Sequence, residues 1–161
     1  MIAGDLAFCH SNGIVGKAIR FAQRHDKDGK DAQWNHVAVL DRCIDGTWYV
    51  IQAEAHGVTN DKPLSTVGEY EIVPFPAHAN RTKFIEFVSS KVGSKYGFLT
   101  ILSIALNMIL PDKVIFRKAG TYICSGLVSV GLNYAGFAPV CASSDLYSVT
   151  PARTARYISE G

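Results

Sequence analysis

The pair Asp45-Gly46, set between two runs of β-forming residues, constrains this chain more than any other feature. Asp-Gly favours a two-residue turn with positive φ at both positions, the turn that joins antiparallel strands into a hairpin. In the run before it, Trp34 to Leu40, Val37 and Val39 alternate with Ala38 and Leu40. Both faces of that strand are apolar, so it is expected at the centre of a sheet with material packed on either side. In the run after it, Trp48 to Glu54, period-two alternation puts Trp48, Val50, Gln52 and Glu54 on one face and Tyr49, Ile51 and Ala53 on the other. Two polar side chains therefore follow two apolar ones along a single face.

The flanking sequence supplies the elements that cover such a hairpin. Gly4 to Cys9 reads as a short strand ended by Ser11-Asn12-Gly13. Ile14, Val15, Ala18, Ile19 and Ala22 then recur at helical spacing up to Arg24, with Lys17, Arg20 and Arg24 on the other side. His25 to Gln33 is a polar loop. Gly57-Val58 opens a short extended piece, Lys62-Pro63-Leu64 punctuates it, and Tyr70 to Phe75 is a third strand of the sheet. Asn80 or Thr82 caps a helix running to about Val92, with Phe84, Ile85, Phe87 and Val88 as its apolar stripe. The most apolar run, Phe98 to Leu110, is shorter than the ~20 residues that a membrane span needs and contains Thr100, Ser103 and Asn107. It is expected as a buried helix or an interfacial flap. A polar connection, Asp112 to Gly120, leads to a helix that begins at Cys124 and ends near Gly136. Ser143 to Tyr147 reads as a cap and one helical turn before Val149-Thr150-Pro151, and the remaining tail is polar. The expected order is β-α-β-β-β-α-α-α, a single α+β domain over residues 1–161 with an antiparallel sheet.

Composition excludes several functions. Hydrophobic residues make up 48% of the chain and charged residues 19%, the balance of a chain with a real core. The net charge of +2 comes from interspersed acids and bases, which leaves no nucleic-acid footprint. Cys9, Cys43, Cys124 and Cys141 are scattered, as expected of free thiols in a reducing compartment. His10, His25, His36, His56 and His78 do not fall at zinc spacings, so neither a metal nor a cofactor is expected. The start, Met1-Ile2-Ala3-Gly4-Asp5, carries no secretory pattern, which points to a cytoplasmic chain as synthesised and leaves export by another route open.

The chemistry centres on Tyr122-Ile123-Cys124-Ser125-Gly126-Leu127-Val128. Leu127, Val128, Gly131 and Ala135 follow Cys124 at helical spacing, which sets the cysteine in a first helical turn on the inward face. Unpaired N–H groups and the positive end of the macrodipole favour a thiolate there and can hold an oxyanion. The alternative is a buried cysteine serving as a small hydrophobe. A nucleophilic thiolate needs a base, and His36 opens the central strand after polar Asn35. The imidazole in turn needs an acceptor, and Gln52 and Glu54 on the neighbouring strand both offer one; polar decoration of a strand is the alternative for each.

Taken in order, Gly4-Asp5-Leu6-Ala7-Phe8, Trp34-Asn35-His36-Val37-Ala38-Val39, Val50-Ile51-Gln52-Ala53 with Gly57-Val58, Lys95-Tyr96-Gly97-Phe98 and the Cys124 stretch resemble the circularly permuted branch of the papain-like NlpC superfamily. That branch includes bacterial YiiX-like and YebB-like proteins, with lecithin retinol acyltransferase a more distant cousin. Its histidine strand precedes its cysteine helix, as here, and the match spans most of residues 4 to 135. The resemblance implies a permuted papain-like fold, a central antiparallel sheet or partial barrel packed by helices, with Cys124 as nucleophile and His36 as base. Where the family has glutamate before alanine, this chain has Gln52 before Ala53, so the third role stands between Gln52 and Glu54. Gly126 also replaces an acidic residue that relatives often carry.

The expected activity is hydrolysis through a Cys124 thioester, with the Cys124 backbone N–H and the Tyr122 hydroxyl stabilising the oxyanion. The resemblance implies a peptide or other amide, a peptidoglycan peptide first. A lipid acyl ester or amide, cleaved or transferred at a membrane surface touched by Phe98 to Leu110, is second. A third reading is a non-catalytic binding or structural protein that retains the fold.

Overall fold

The computed structural model of the chain describes residues 1–10, 33–97, 120–137, 146 and 149–160. Asp45 and Gly46 take φ values of 48° and 78° and join β2 (His36–Ile44) to β3 (Thr47–Glu54) as an antiparallel hairpin. A glycine and a short aspartate tolerate this left-handed backbone, whose twist matches that of the strands.

The remaining strands build outward from the hairpin. β1 (Leu6–His10) pairs with β2, β4 (Gly57–Pro63) with β3, and β5 (Glu69–Val73) with β1, giving the order β4-β3-β2-β1-β5 with every neighbour antiparallel. β2 is thus the middle strand, as its two apolar faces require. A 3-10 turn at Leu64–Thr66 follows β4, and β5 then lies at the opposite edge, beside β1. The helices among the described residues are α1 (Arg81–Ser89), α2 (Cys124–Tyr134) and α3 (Pro151–Glu160). A separate ribbon pairs β6 (Lys95–Tyr96) in parallel with β7 (Thr121–Tyr122). The architecture is mixed α+β with an antiparallel five-stranded sheet.

Alternation along the strands divides the apolar side chains between two cores. Leu6, Phe8, Val37, Val39, Ile51 and Ala53 pack with Phe84 and Val88 of α1 and with Leu127, Val128 and Leu132 of α2. On the opposite face Ala7, Cys9, Ala38, Leu40 and Val50 pack with Leu64 and Val67. α1 starts where Asn80 caps it, its Oδ1 accepting the Lys83 N–H at 3.0 Å.

Asp5, 5% exposed, ties β1 to its surroundings. Its Oδ2 accepts the Ile2 N–H at 2.9 Å, and its Oδ1 accepts the Phe75 N–H at 3.1 Å and Arg81 Nη1 at 2.9 Å. Burial pushes the carboxyl up, but these donors and the Arg81 charge outweigh it and hold Asp5 below 3.8.

Three expectations change. The strand count exceeds the expected order, since the piece opened by Gly57-Val58 runs on as β4 and pairs with β3 on both sides of an irregularity between Val50 and Gln52. Its Thr-Asn-Asp-Lys sequence hides a strand because an edge strand needs no second apolar neighbour. Gly57 itself takes φ 118°, and a Cβ there would stand 2.6 Å from the Ser94 carbonyl oxygen, which accepts the Val58 N–H at 2.9 Å. β6 and β7 are the second addition to that order. Finally, the polar tail is largely α3. It buries Ala152, Thr154 and Ala155, small residues that pack closely without the large side chains that mark a core helix.

The helix expected over Ile14 to Arg24, the loop after it apart from Gln33, the run Phe98 to Leu110, most of the Asp112 to Gly120 connection and Cys141 lie outside the described residues, as does the Ser143 to Tyr147 turn apart from Leu146. Among the described residues no helix is long and apolar enough to cross a membrane.

Candidate active site

Cys124 is the first residue of α2, after Ile123 in extended backbone, and the helix is closed by the Leu127 N–H donating to the Ile123 carbonyl at 2.9 Å. The residue is 3% exposed. Its sulfur accepts hydrogen bonds from the backbone N–H groups of Val37 and Ser125 and is hydrogen-bonded to His36. The Val37 donor is available because the β2–β3 ladder has its last rung toward His36 at Val39 and Ile51. Val37 lies two residues beyond that rung, and its N–H goes to the cysteine sulfur.

His36 opens β2, opposite Cys9 of β1, and the Asn35 N–H beside it donates to the Cys9 carbonyl at 3.1 Å. His36 stands at the end of β2, where its ring meets both the start of α2 and Gln52 of β3. A glutamine is long enough to cross the diagonal between the strands. Gln52, 1% exposed, brings Oε1 to 2.8 Å from His36 Nε2. An amide oxygen only accepts, so Nε2 carries the proton and Nδ1 is the ring atom left to face the sulfur.

The electrostatics favour charge separation between the two groups. Burial raises the Cys124 thiol, but the His36 charge, its hydrogen bond and the two backbone donors outweigh burial and bring it below 9.0. Burial lowers His36, but the Cys124 charge, hydrogen bonds to Cys124 and Gln52, and the more distant Glu54 outweigh it and raise the imidazole above 6.5. A thiolate–imidazolium pair is the arrangement that both shifts support. Cys9, close enough to feel the Cys124 charge, is pushed up to about 12, chiefly by burial. It remains a neutral thiol donating to the Ala7 carbonyl at 3.2 Å.

Cys124, His36 and Gln52, widely separated in the chain, are thus joined in one hydrogen-bonded line. Glu54, the other candidate acceptor, lies 3.8 Å from Lys62 with its side chain 39% exposed, and it reaches His36 only through its charge. Tyr122 lies on β7 just before the cysteine and is partly buried. Across the ribbon from it stands Tyr96, which sequence reasoning gave no role. Burial, then the charges of Cys124 and Glu54, push the Tyr96 phenol up, so its hydroxyl stays protonated within range of the Cys124 charge. The Lys95-Tyr96-Gly97-Phe98 motif was a signal for that position, though not for the contact. Among the described residues no cluster of three or more His, Cys, Asp or Glu side chains could hold a metal ion.

In comparisons with known proteins, no family model and no curated protein matches this sequence.

Proposed function

We propose that this chain is a cysteine hydrolase with a permuted papain-like, NlpC-type fold that cleaves an amide or peptide bond through a Cys124 thioester. The observation that carries the reading is the hydrogen-bonded line from Cys124 through His36 to Gln52, anchored at a helix start and a strand start. The order of histidine strand before cysteine helix supports the permuted fold.

In this mechanism the Cys124 thiolate attacks the carbonyl carbon, and the electron pair moves to the carbonyl oxygen. The Tyr96 hydroxyl and backbone N–H groups at the start of α2 stabilise that oxyanion, with Tyr122 as a further donor. The imidazolium Nδ1–H protonates the leaving amine as the C–N bond breaks, leaving a thioester. Neutral His36 then takes a proton from water, hydroxide attacks the thioester, and the acid leaves as the thiolate returns. Gln52 keeps Nε2–H engaged throughout and so holds Nδ1 toward the chemistry.

The first substrate class is a peptide of the peptidoglycan type. A lipid acyl ester or amide is the second, favoured by one observation. The chain leaves β6 at Tyr96 for the apolar Phe98 to Leu110 run and returns at β7, beside Cys124. Muropeptides and acyl esters incubated with wild type and Cys124→Ala separate these readings. Turnover of either class by wild type alone identifies the substrate. Turnover of none, together with a Cys124 that alkylates no faster than an ordinary thiol, defeats the proposal in favour of a binding or structural role.

A further inference from the structure

Ser125, immediately after the cysteine, is fully buried, and its hydroxyl donates to the Val149 carbonyl at 2.5 Å. Val149 is itself 2% exposed and stands just before α3. One helical turn further along α2, Ser129 Oγ meets Thr154 Oγ1 at 3.2 Å, and Thr154 Oγ1 donates to the Thr150 carbonyl at 3.1 Å. The four-residue spacing of Ser125 and Ser129 puts both on one face of α2. That face meets the carboxy-terminal segment, while Leu127, Val128 and Gly131 pack toward the sheet and α1.

Ser125 is therefore held at both ends. Its backbone N–H is given to the Cys124 sulfur, and its side chain is given to a carbonyl that contributes no chemistry of its own. We propose that Ser125 is a positioning residue: its hydroxyl, fixed on Val149, sets the backbone N–H that faces the Cys124 sulfur and so makes residues 149–160 part of the framework of the nucleophile. The inference rests on the nucleophilic reading of Cys124. Ser129 and Thr154 form a second contact, a full turn from the sulfur, that holds α3 without aiming anything at it. The two pairs therefore differ in effect: loss of the first misaligns a donor to the thiolate, and loss of the second loosens helix packing only.

The test is the pH dependence of iodoacetamide alkylation at Cys124, followed by mass spectrometry of its peptide, in wild type, Ser125→Ala, Ser125→Gly and the double variant Ser129→Ala/Thr154→Val. Thermal melts report the fold of each. In wild type the midpoint lies below that of an ordinary thiol; if it does not, the nucleophilic reading itself fails. Given a depressed wild-type midpoint, both Ser125 variants move it upward by about half to one pH unit and slow alkylation on the acid side about three- to tenfold. The double variant lowers the melting temperature and leaves the midpoint in place. Ser125 variants that fold and retain the wild-type midpoint overturn the inference. So does a double variant whose midpoint rises, and this arm decides the matter if neither Ser125 variant folds.

Discussion

Replacing Gln52 with alanine removes the acceptor 2.8 Å from His36 Nε2 and leaves a buried N–H without its partner. A hydrogen bond from a charged donor contributes about 1.5–3 kcal/mol, against about 1 kcal/mol from a neutral one. Imidazolium therefore loses about 1 kcal/mol more than imidazole does, which lowers the His36 pKa by about 0.7 pH unit. The thiolate–imidazolium pair then gives way to thiolate and neutral imidazole about 0.7 pH unit lower on the alkaline side. The thiol midpoint stays in place, because His36 is protonated in both proteins at the pH where the thiol ionises. The vacated space and the lost bond cost about 2 kcal/mol of stability, or roughly 4–8 °C in melting temperature for a chain of this size. NMR titration of the His36 imidazole, beside alkylation across pH, in Gln52→Ala, Gln52→Glu and Glu54→Ala provides the assay. Gln52→Glu keeps an acceptor and adds a charge that favours the imidazolium, so its imidazole midpoint is no lower than that of wild type. A Gln52→Ala profile superimposable on wild type, with a Glu54→Ala profile displaced, would transfer the orienting role to Glu54 and refute the reasoning.

Hydrolysis of a turned-over substrate follows a bell in pH, its acid limb set by a thiol below 9.0 and its alkaline limb by an imidazole above 6.5; initial rates that rise steadily beyond pH 9 would contradict the pair. Asp5→Ala strips the buried partner of Arg81 and costs about 2–3 kcal/mol at neutral pH by urea denaturation. Since the folded pKa of Asp5 lies below 3.8, its contribution is present above that value and is lost as pH falls through the folded one. The gap between wild type and variant therefore closes only in acid; a gap that shrinks between pH 7 and 5 would point to another group. Gly131→Ala gains about 1 kcal/mol of helix propensity. However, its Cβ would stand 2.9 Å from Phe84, whose ring is fully buried, and such overpacking costs about 1–3 kcal/mol. A net loss of about 1 kcal/mol is expected by thermal melting, and a variant more stable than wild type would show that the two helices have room to part.

The sequence by itself determined the hairpin, the central strand, the start of α1 and the helix that opens at Cys124. Each of these follows from local pattern: turn residues that accept positive φ, alternation on two faces, a capping side chain, and apolar residues at helical spacing. Face parity also narrowed the partner of His36 to Gln52 and Glu54. Choosing between them took tertiary structure, because parity fixes the side of a sheet and not the diagonal reach across it or the competing pull of Lys62. The same holds for the residues missed. Val37 can give its N–H to the sulfur because it lies beyond the last β2–β3 rung, and Tyr96 comes within range of the thiolate charge because β6 and β7 pair across a long connection. α3 escaped notice because alanine and threonine bury through close approach, which becomes visible only once α2 presents Ser125 and Ser129 to meet it. Local chemistry thus wrote the elements into the sequence, while the donors and acceptors around Cys124 came from long-range packing, for which a linear pattern carries no period.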